Sequence, residues 1–167
     1  KGVNAFIEIS EHYKKEDFIV FGDIDSSSDE SLTRENIKEF SNTHQNLSFK
    51  GFVDSPLINF FDKPYALIFI SEYGEGMPRA VAEALVLSIP VISTKKSLCG
   101  IFPLDTIYLA EDQSINAIKN AISFMHSDIK KGDFITKLEK GKNFALNNFT
   151  EQKIVDQTID LYKKLLN

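Results

Sequence analysis

Two carboxylates flank the start of a predicted helix whose other side chains are almost all apolar. Glu75 precedes Gly76-Met77-Pro78, and Glu83 lies within the segment PRAVAEALVL at 78–87. Proline suits the first helical position, so the helix is predicted to begin near Pro78. The first turn of a helix exposes unpaired N–H groups that favour anions. The segment therefore combines a candidate anion site with two acidic side chains.

Arg79 and Glu83 are the polar residues of this predicted helix. They are four residues apart and therefore share one stripe of its surface. A helix that is apolar nearly all round is buried, so we expect this stripe to face a polar cleft. The alternative is a surface ion pair between the two side chains, worth about 0.2–0.5 kcal/mol.

The segment SEYGEGMPRAVAEALVLSIPVIST, residues 71–94, resembles the signature region of GT-B-fold nucleotide-sugar glycosyltransferases. Glu75 and Glu83 have seven residues between them, which is the hallmark of the large retaining family called group-one glycosyltransferases. The segment at 90–94 fits the next strand of that family. Pro-Arg after Glu-Gly, with Cys99 shortly after the strand, is similar to members that build lipid-linked surface polysaccharides, such as lipopolysaccharide or capsule.

Segments outside this signature also resemble the family. Lys1-Gly2-Val3 is similar to the end of the first βα loop, and the closing FTEQKIVDQTIDLYKKLL is similar to the last helix. The resemblance implies that residues 1–167 form a single donor-binding domain, the C-terminal half of a two-domain enzyme. The acceptor-binding N-terminal domain is then absent, and we expect the chain to be a fragment that turns nothing over by itself.

The resemblance also implies a role for each site residue. Glu83 would accept hydrogen bonds from ribose hydroxyls, since an ionised carboxylate only accepts. Glu75 would lie beside the donor sugar. Helix amides would stabilise the phosphates as negative charge develops on the leaving group. The implied catalytic residues are Glu75 and Glu83, and the implied donor-binding residues are Lys1, Gly22, Val53, Gly76, Met77, Arg79, Ala80, Val81 and Glu83.

Simpler interpretations of four of these residues stay open. Lys1 can be a solvated chain end, and the Arg79 side chain can point to the acceptor or to solvent. Gly22 can merely turn the chain after a strand, and Val53 can merely pack.

Composition is that of a globular domain. The chain has 43% hydrophobic and 26% charged residues in 167, and its net charge of −5 argues against binding nucleic acid. The longest apolar run, 65–70, is too short to span a bilayer. No signal-peptide pattern opens the sequence, and a single cysteine suits the cytosol. We expect a cytoplasmic protein, with peripheral contact of its lysine-rich late helices with the inner face of the plasma membrane as one option.

No cofactor and no metal are expected. The three histidines have no metal-ligand spacing, and Asp23-Ile24-Asp25 is typical of a loop. The resembling family generally needs no metal for catalysis.

Short apolar runs alternate with helical patterns along the chain. This order predicts an α/β fold, a Rossmann-like doubly wound parallel sheet with extra C-terminal helices, which is the C-terminal half of a GT-B fold. The continuously apolar run at 65–70 is expected to be a strand covered on both faces. The predicted strands are 18–21, 47–49, 65–70, 90–94 and 106–109, and the predicted helices are 3–13, 29–43, 55–62, 78–87, 113–126, 133–147 and 151–166.

The sequence therefore predicts the donor-binding domain of a retaining glycosyltransferase of hexosyl or N-acetylhexosaminyl type, using a UDP-sugar and a glycan or lipid-linked acceptor. The alternative is a non-catalytic nucleotide- or protein-binding module of the same architecture. A GT-B epimerase or phosphorylase fits the Glu spacing less well. Ser88 departs from the family, which usually has glycine there. If that position is left-handed, serine costs about 1 kcal/mol.

Overall fold

Short parallel strands alternate with helices in the computed structural model, which describes residues 2–22, 32–54, 65–71, 73–74 and 76–166. Our numbering follows chain order within these ranges. The strands are β1 Phe18–Val20, β2 Leu47–Phe49, β3 Leu67–Phe69, β4 Val91–Thr94 and β5 Tyr108–Ala110, and the helices are α1 Val3–His12, α2 Arg34–Thr43, α3 Arg79–Val86, α4 Lys95–Leu98, α5 Ile115–Lys131, α6 Asp133–Asn148 and α7 Glu151–Leu166, with a 3₁₀ turn at Leu104–Thr106.

Every strand pairing in the described ranges is parallel. β1 pairs with β2, with Phe18 opposite Leu47. β4 lies between β3 and β5, with Ile92 opposite both Ile68 and Tyr108. Because parallel neighbours need a crossover connection, the helices between strands must cover the faces of the sheet.

Alternate residues of β4 enter two different cores. Ile92 packs with residues of α1 and α5, such as Ile9 and Ile118. Val91 packs with residues of α3 and α6, such as Leu85 and Ala145. Successive side chains of a strand point to opposite faces, so the sheet carries α1 and α5 on one side and α3 and α6 on the other. This arrangement confirms the predicted doubly wound α/β fold.

Side-chain caps fix where several helices begin. The Thr33 hydroxyl accepts the Asn36 amide at the start of α2, in a reciprocal capping box. Ser114 caps α5 by accepting the Ala117 amide at 3.3 Å. Thr150, predicted as the cap of the last helix, accepts the Lys153 amide at 3.4 Å. Such caps satisfy amides that the first turn leaves without partners.

Several predicted elements differ in detail. β3 packs Ile68 on one core and Leu67 and Phe69 on the other, as predicted, but it is only half-buried, whereas all four residues of β4 are buried. The last strand lies later than predicted, because 104–106 forms a 3₁₀ turn. α2 begins at Arg34, since Thr33 caps it there. The predicted helix at 55–62 and the loop at 23–25 lie outside the described residues.

The last helix, α7, leaves its apolar residues exposed. Leu165 and Leu166 are 72% and 86% exposed, and Ile154 is 46% exposed. The Phe149 ring just before α7 contacts Phe102 and Phe144. Across the described part of the chain, no helix is both long and apolar enough to cross a membrane.

Candidate functional site: the start of α3

The first turn of α3 follows β3 and therefore begins at the carboxyl edge of the sheet, where open α/β sheets bind ligands. Pro78 is buried and occupies the N-cap, with φ −75° and ψ 93°. The predicted start near Pro78 is confirmed to within one residue. Pro78 has no side-chain oxygen to cap the helix, so the first amides of α3 depend on other partners.

Not all of the amides predicted to bind phosphate are free. The Val81 N–H donates to the Pro78 carbonyl at 3.0 Å, so this amide already has a partner in the structure. The amides of Arg79 and Ala80 have no hydrogen-bond partner among the described residues. The unpaired donors at this helix start are therefore two of the three amides that the sequence suggested.

One face of α3 is buried and the opposite stripe is open. Val81, Ala84 and Leu85 are at most 1% exposed, which confirms the predicted apolar burial. Arg79 and Glu83 are both exposed, so in this structure their stripe faces open space. They form no ion pair with each other, since the ion pairs among the described residues involve other side chains. Both side chains thus remain available to a ligand.

The C-terminal end of α3 is fixed by backbone hydrogen bonds. The Ile89 N–H donates to the Ala84 carbonyl at 2.8 Å, and the Ser88 N–H donates to Leu85 at 3.0 Å. These bonds form a Schellman motif, whose C′ residue is left-handed and usually glycine. Ser88 occupies this position with φ 57°, which is left-handed, so the predicted cost of about 1 kcal/mol for serine applies.

A small residue lets α6 pack closely on α3. A Cβ added at Gly141 would lie 2.8 Å from Cδ2 of Leu85 and 3.4 Å from Cβ of Thr106. Glycine therefore allows the two helices to approach, and this contact anchors α3 against the second core.

A buried hydroxyl cluster supports the loop that leads into α3. The Ser71 N–H donates to Oγ of Ser97 at 2.8 Å, and Oγ1 of Thr94 lies 2.8 Å from the same oxygen. The Ser71 hydroxyl in turn accepts the Tyr73 N–H at 3.3 Å. Sequence reasoning missed this cluster, although serine and threonine at the carboxyl ends of two apolar strands were visible. Its role is to fix the path of the loop after β3.

Of the remaining predicted site residues, some lie just before α3 and others follow the strands of the separate β1–β2 sheet. Gly22 follows β1 with φ 130°, and its N–H donates to the Gly51 carbonyl at 2.9 Å. Val53 follows β2 and is half-buried, while Gly76 and Met77 are exposed just before α3. Lys1 and Glu75 lie outside the described residues. The structure thus places Gly76 through Glu83 in the loop before α3 and in its first turns, with Gly22 and Val53 after β1 and β2.

The histidines and acidic residues form other contacts. Nε2 of His44 lies 2.9 Å from Oε1 of Glu11, and the His126 ring packs edge-on against Tyr65. Within the described ranges, no group of three or more histidine, cysteine, aspartate or glutamate side chains could hold a metal ion.

Comparison with known families agrees with this geometry. The profile described as "Glycosyl transferases group 1" matches residues 1–128, which is well over half of the chain. The chain belongs to this glycosyltransferase family. The matched range contains the whole of α3 and the spacing between Glu75 and Glu83.

Solved structures share the fold of this glycosyltransferase domain at low sequence identity. A glycosyltransferase from Rickettsia africae ESF-5 is 21% identical with a TM-score of 0.72, and the alignment covers 100% of this chain and 45% of that one. Sucrose-phosphate synthase from Thermosynechococcus elongatus is 20% identical, with a TM-score of 0.72 and coverage of 97% and 42%. Anabaena Alr3699/HepE, solved in complex with UDP, is 16% identical, with a TM-score of 0.77 and coverage of 96% and 44%.

These likenesses establish the C-terminal half of a GT-B fold, as predicted. The chain spans less than half the length of each of these three structures. A search of curated proteins gave no match.

Proposed function

We propose that this chain is the donor-binding domain of a retaining glycosyltransferase that uses a nucleoside diphosphate sugar. The observation that carries the proposal is the start of α3, where the unpaired amides of Arg79 and Ala80 lie one turn from the exposed carboxylate of Glu83. Amides at a helix start bind phosphate, and a carboxylate binds vicinal hydroxyls. A nucleoside diphosphate carries both groups.

In the proposed reaction, a sugar leaves a diphosphate that is already acidic, so charge stabilisation matters more than proton donation. The Arg79 and Ala80 amides would stabilise the negative charge that develops on the phosphate as the glycosidic bond breaks. The Arg79 guanidinium, exposed beside them, would add a positive charge. We propose Lys1 for the second phosphate, and Gly22 and Val53 for the base.

Glu83 is proposed to bind the ribose, and Glu75 the donor sugar and its oxocarbenium-like transition state. Gly76 and Met77 would add amides toward the sugar. The acceptor would then attack from the face that retains the anomeric configuration, assisted by the departing diphosphate. No step in this scheme requires a metal.

Uracil is the base we propose for the donor, because the Anabaena neighbour of the same fold was solved with UDP. The transferred group would be a hexose or N-acetylhexosamine, and the acceptor a glycan or lipid-linked sugar in surface polysaccharide assembly. The acceptor would be held by an N-terminal domain outside this chain, so the isolated domain would bind donor and transfer nothing. The complete enzyme would act in the cytoplasm or at the inner face of the membrane.

A non-catalytic binding module is the second candidate, and one observation favours it. Burying a charge without a partner costs free energy, so a buried Glu83 would have indicated a functional role. Glu83 is exposed, however, and carries no such cost. The choice between the two candidates therefore depends on measurement.

The test is calorimetric titration of the chain with UDP, GDP and ADP, repeated with Glu83→Ala. We expect one nucleotide to bind, and the variant to lose about 1.5–3 kcal/mol, the range for hydrogen bonds to a charged group. Glu16→Ala is the matched control. Glu16 is also exposed, but it precedes β1 at the amino edge of the sheet, so its removal should leave affinity unchanged.

Equal affinity of Glu83→Ala and the parent chain would contradict the assignment of Glu83. Failure of all three nucleotides to bind a folded chain would favour the non-catalytic module.

A further inference from the structure

A cavity of about 590 Å³ opens beside the loop that leads into α3. This volume lies within the range of about 300–1,000 Å³ that is typical of small-molecule sites. None of the residues assigned above to the donor lines it. The lining residues are Tyr73, Thr94, Lys96, Glu111, Asp112 and Gln113.

The sheet brings these side chains together. Tyr73 follows β3, Thr94 ends β4, and Glu111 to Gln113 follow β5. These three strands are parallel neighbours, so their carboxyl ends meet at one edge. Gly74 keeps the loop against α4, because a Cβ there would lie 2.8 Å from Sγ of Cys99.

The rim of the cavity carries an aromatic ring and several polar groups. The Tyr73 side chain is 65% exposed, and Lys96, Glu111 and Asp112 are exposed as well. Asp112 is held in place, since its Oδ1 accepts the Ser114 N–H at 2.8 Å. The Ser114 side chain, together with this backbone hydrogen bond, lowers the pKa of Asp112, so the carboxylate is charged at neutral pH. Lys96 has no ion-pair partner among the described residues.

These groups favour a hydroxyl-rich ligand over an anion. Two carboxylates and one ammonium give the rim a net charge of −1, which repels phosphate. Each carboxylate can accept hydrogen bonds from two hydroxyls, and the Gln113 amide both donates and accepts. An exposed tyrosine ring offers a flat apolar surface to the C–H face of a pyranose.

We propose that this cavity binds the pyranose ring of a sugar substrate, stacked on Tyr73 and hydrogen-bonded by Glu111 and Asp112. This proposal rests on the proposed function, because it adds a sugar-binding site next to the loop that leads into α3. The sugar could belong to the acceptor or be the transferred group of the donor. Both have the same chemistry, so the experiment must separate them.

The experiment follows amide chemical shifts of the ¹⁵N-labelled chain during titration with glucose, galactose, N-acetylglucosamine and glucosamine. We expect at least one sugar to shift the amides of Tyr73, Lys96 and residues 111–113. Inorganic phosphate should not shift them. Tyr73→Ala should weaken binding at least about tenfold, through loss of the stacking surface, whereas Tyr73→Phe should bind as the parent chain does.

Tyr65→Ala is the matched control. Tyr65 is 59% exposed, but it packs on His126 away from the cavity, so its removal should leave sugar binding unchanged. The amide spectrum of each variant also shows directly whether it is folded.

The source of the sugar is read from a second titration in the presence of UDP. Sugar shifts that persist with UDP bound identify an acceptor subsite, and shifts at the cavity produced by UDP-glucose together with shifts in α3 identify the donor sugar. The proposal is overturned if no sugar shifts the cavity amides, if phosphate shifts them equally, or if Tyr73→Ala binds sugar unchanged. The free-sugar titration needs no nucleotide, so a failure of nucleotide binding at α3 is a separate result.

Discussion

Ser88 stores strain that a single substitution should release. The residue ends α3 in a left-handed conformation, φ 57°, while two backbone hydrogen bonds of 2.8 and 3.0 Å close the Schellman motif around it. A residue with a Cβ pays about 1–2 kcal/mol in this conformation. Glycine pays no such penalty but loses about 0.5–1 kcal/mol more backbone entropy on folding. The difference predicts that Ser88→Gly stabilises the fold by about 0.5–1 kcal/mol.

Urea and thermal denaturation measure this change. For a chain of this size, 1 kcal/mol corresponds to a Tm shift of about 2–4 °C, so we expect an increase of about 1–4 °C. Ser123→Gly is the matched control, because Ser123 is exposed in the middle of α5. There the same exchange should destabilise by about 0.5 kcal/mol, since glycine disfavours the helix interior.

The reasoning is refuted if Ser88→Gly leaves stability unchanged or lowers it, or if both variants shift stability in the same direction. Nucleotide affinity should not change in Ser88→Gly, because Ser88 lies at the opposite end of α3 from the proposed phosphate site.

Three further substitutions test interactions that stabilise the fold around the proposed site. Ser97→Ala should lower the free energy of unfolding by about 1–3 kcal/mol in urea titrations, because it removes the buried hydrogen bonds of the Ser97 hydroxyl with the Ser71 N–H and the Thr94 hydroxyl, whereas an exposed serine elsewhere should tolerate alanine. Leu85→Ala should lower the free energy of unfolding by about 3 kcal/mol, and adding Gly141→Ala should restore part of that stability by filling the space. A double-mutant cycle that shows no coupling between the two positions would contradict the α3–α6 contact. Lys140 holds the pKa of Asp105 below its usual value, so Asp105→Asn should lower the free energy of unfolding by a few tenths of a kcal/mol at pH 7. This difference should disappear as the pH falls through the folded-state pKa of Asp105, below about 4. A difference that persists at about pH 2 would exclude this ion pair as its cause.

The prediction of the fold succeeded because its signals are local. The alternation of apolar runs and helical patterns depends on neighbouring residues, and it gave the parallel α/β order and the position of α3 within one residue. Ser88 was identified as a strained position from the family pattern alone. Boundaries were less accurate where a cap or a 3₁₀ turn decided them, as at Thr33 and at 104–106.

Burial and hydrogen bonding of the site depended on the tertiary structure. The sequence suggested a polar cleft beside Glu83, but it did not indicate that Glu83 is exposed or that β4 is more deeply buried than β3. Both outcomes depend on which elements pack on which, and sequence periodicity does not contain that information. The carboxyl edge shared by β3, β4 and β5 likewise joins Tyr73 with Glu111, residues 38 positions apart in the chain.

The sequence by itself determined the residue types that this family uses and the helix that carries them. Only the tertiary structure decided which amides at that helix start remain unpaired, which carboxylates reach solvent and which loops share a cavity. The physical reason is that residue types and helix periods are local properties of the chain, whereas exposure and pairing are properties of the packed sheet and helices.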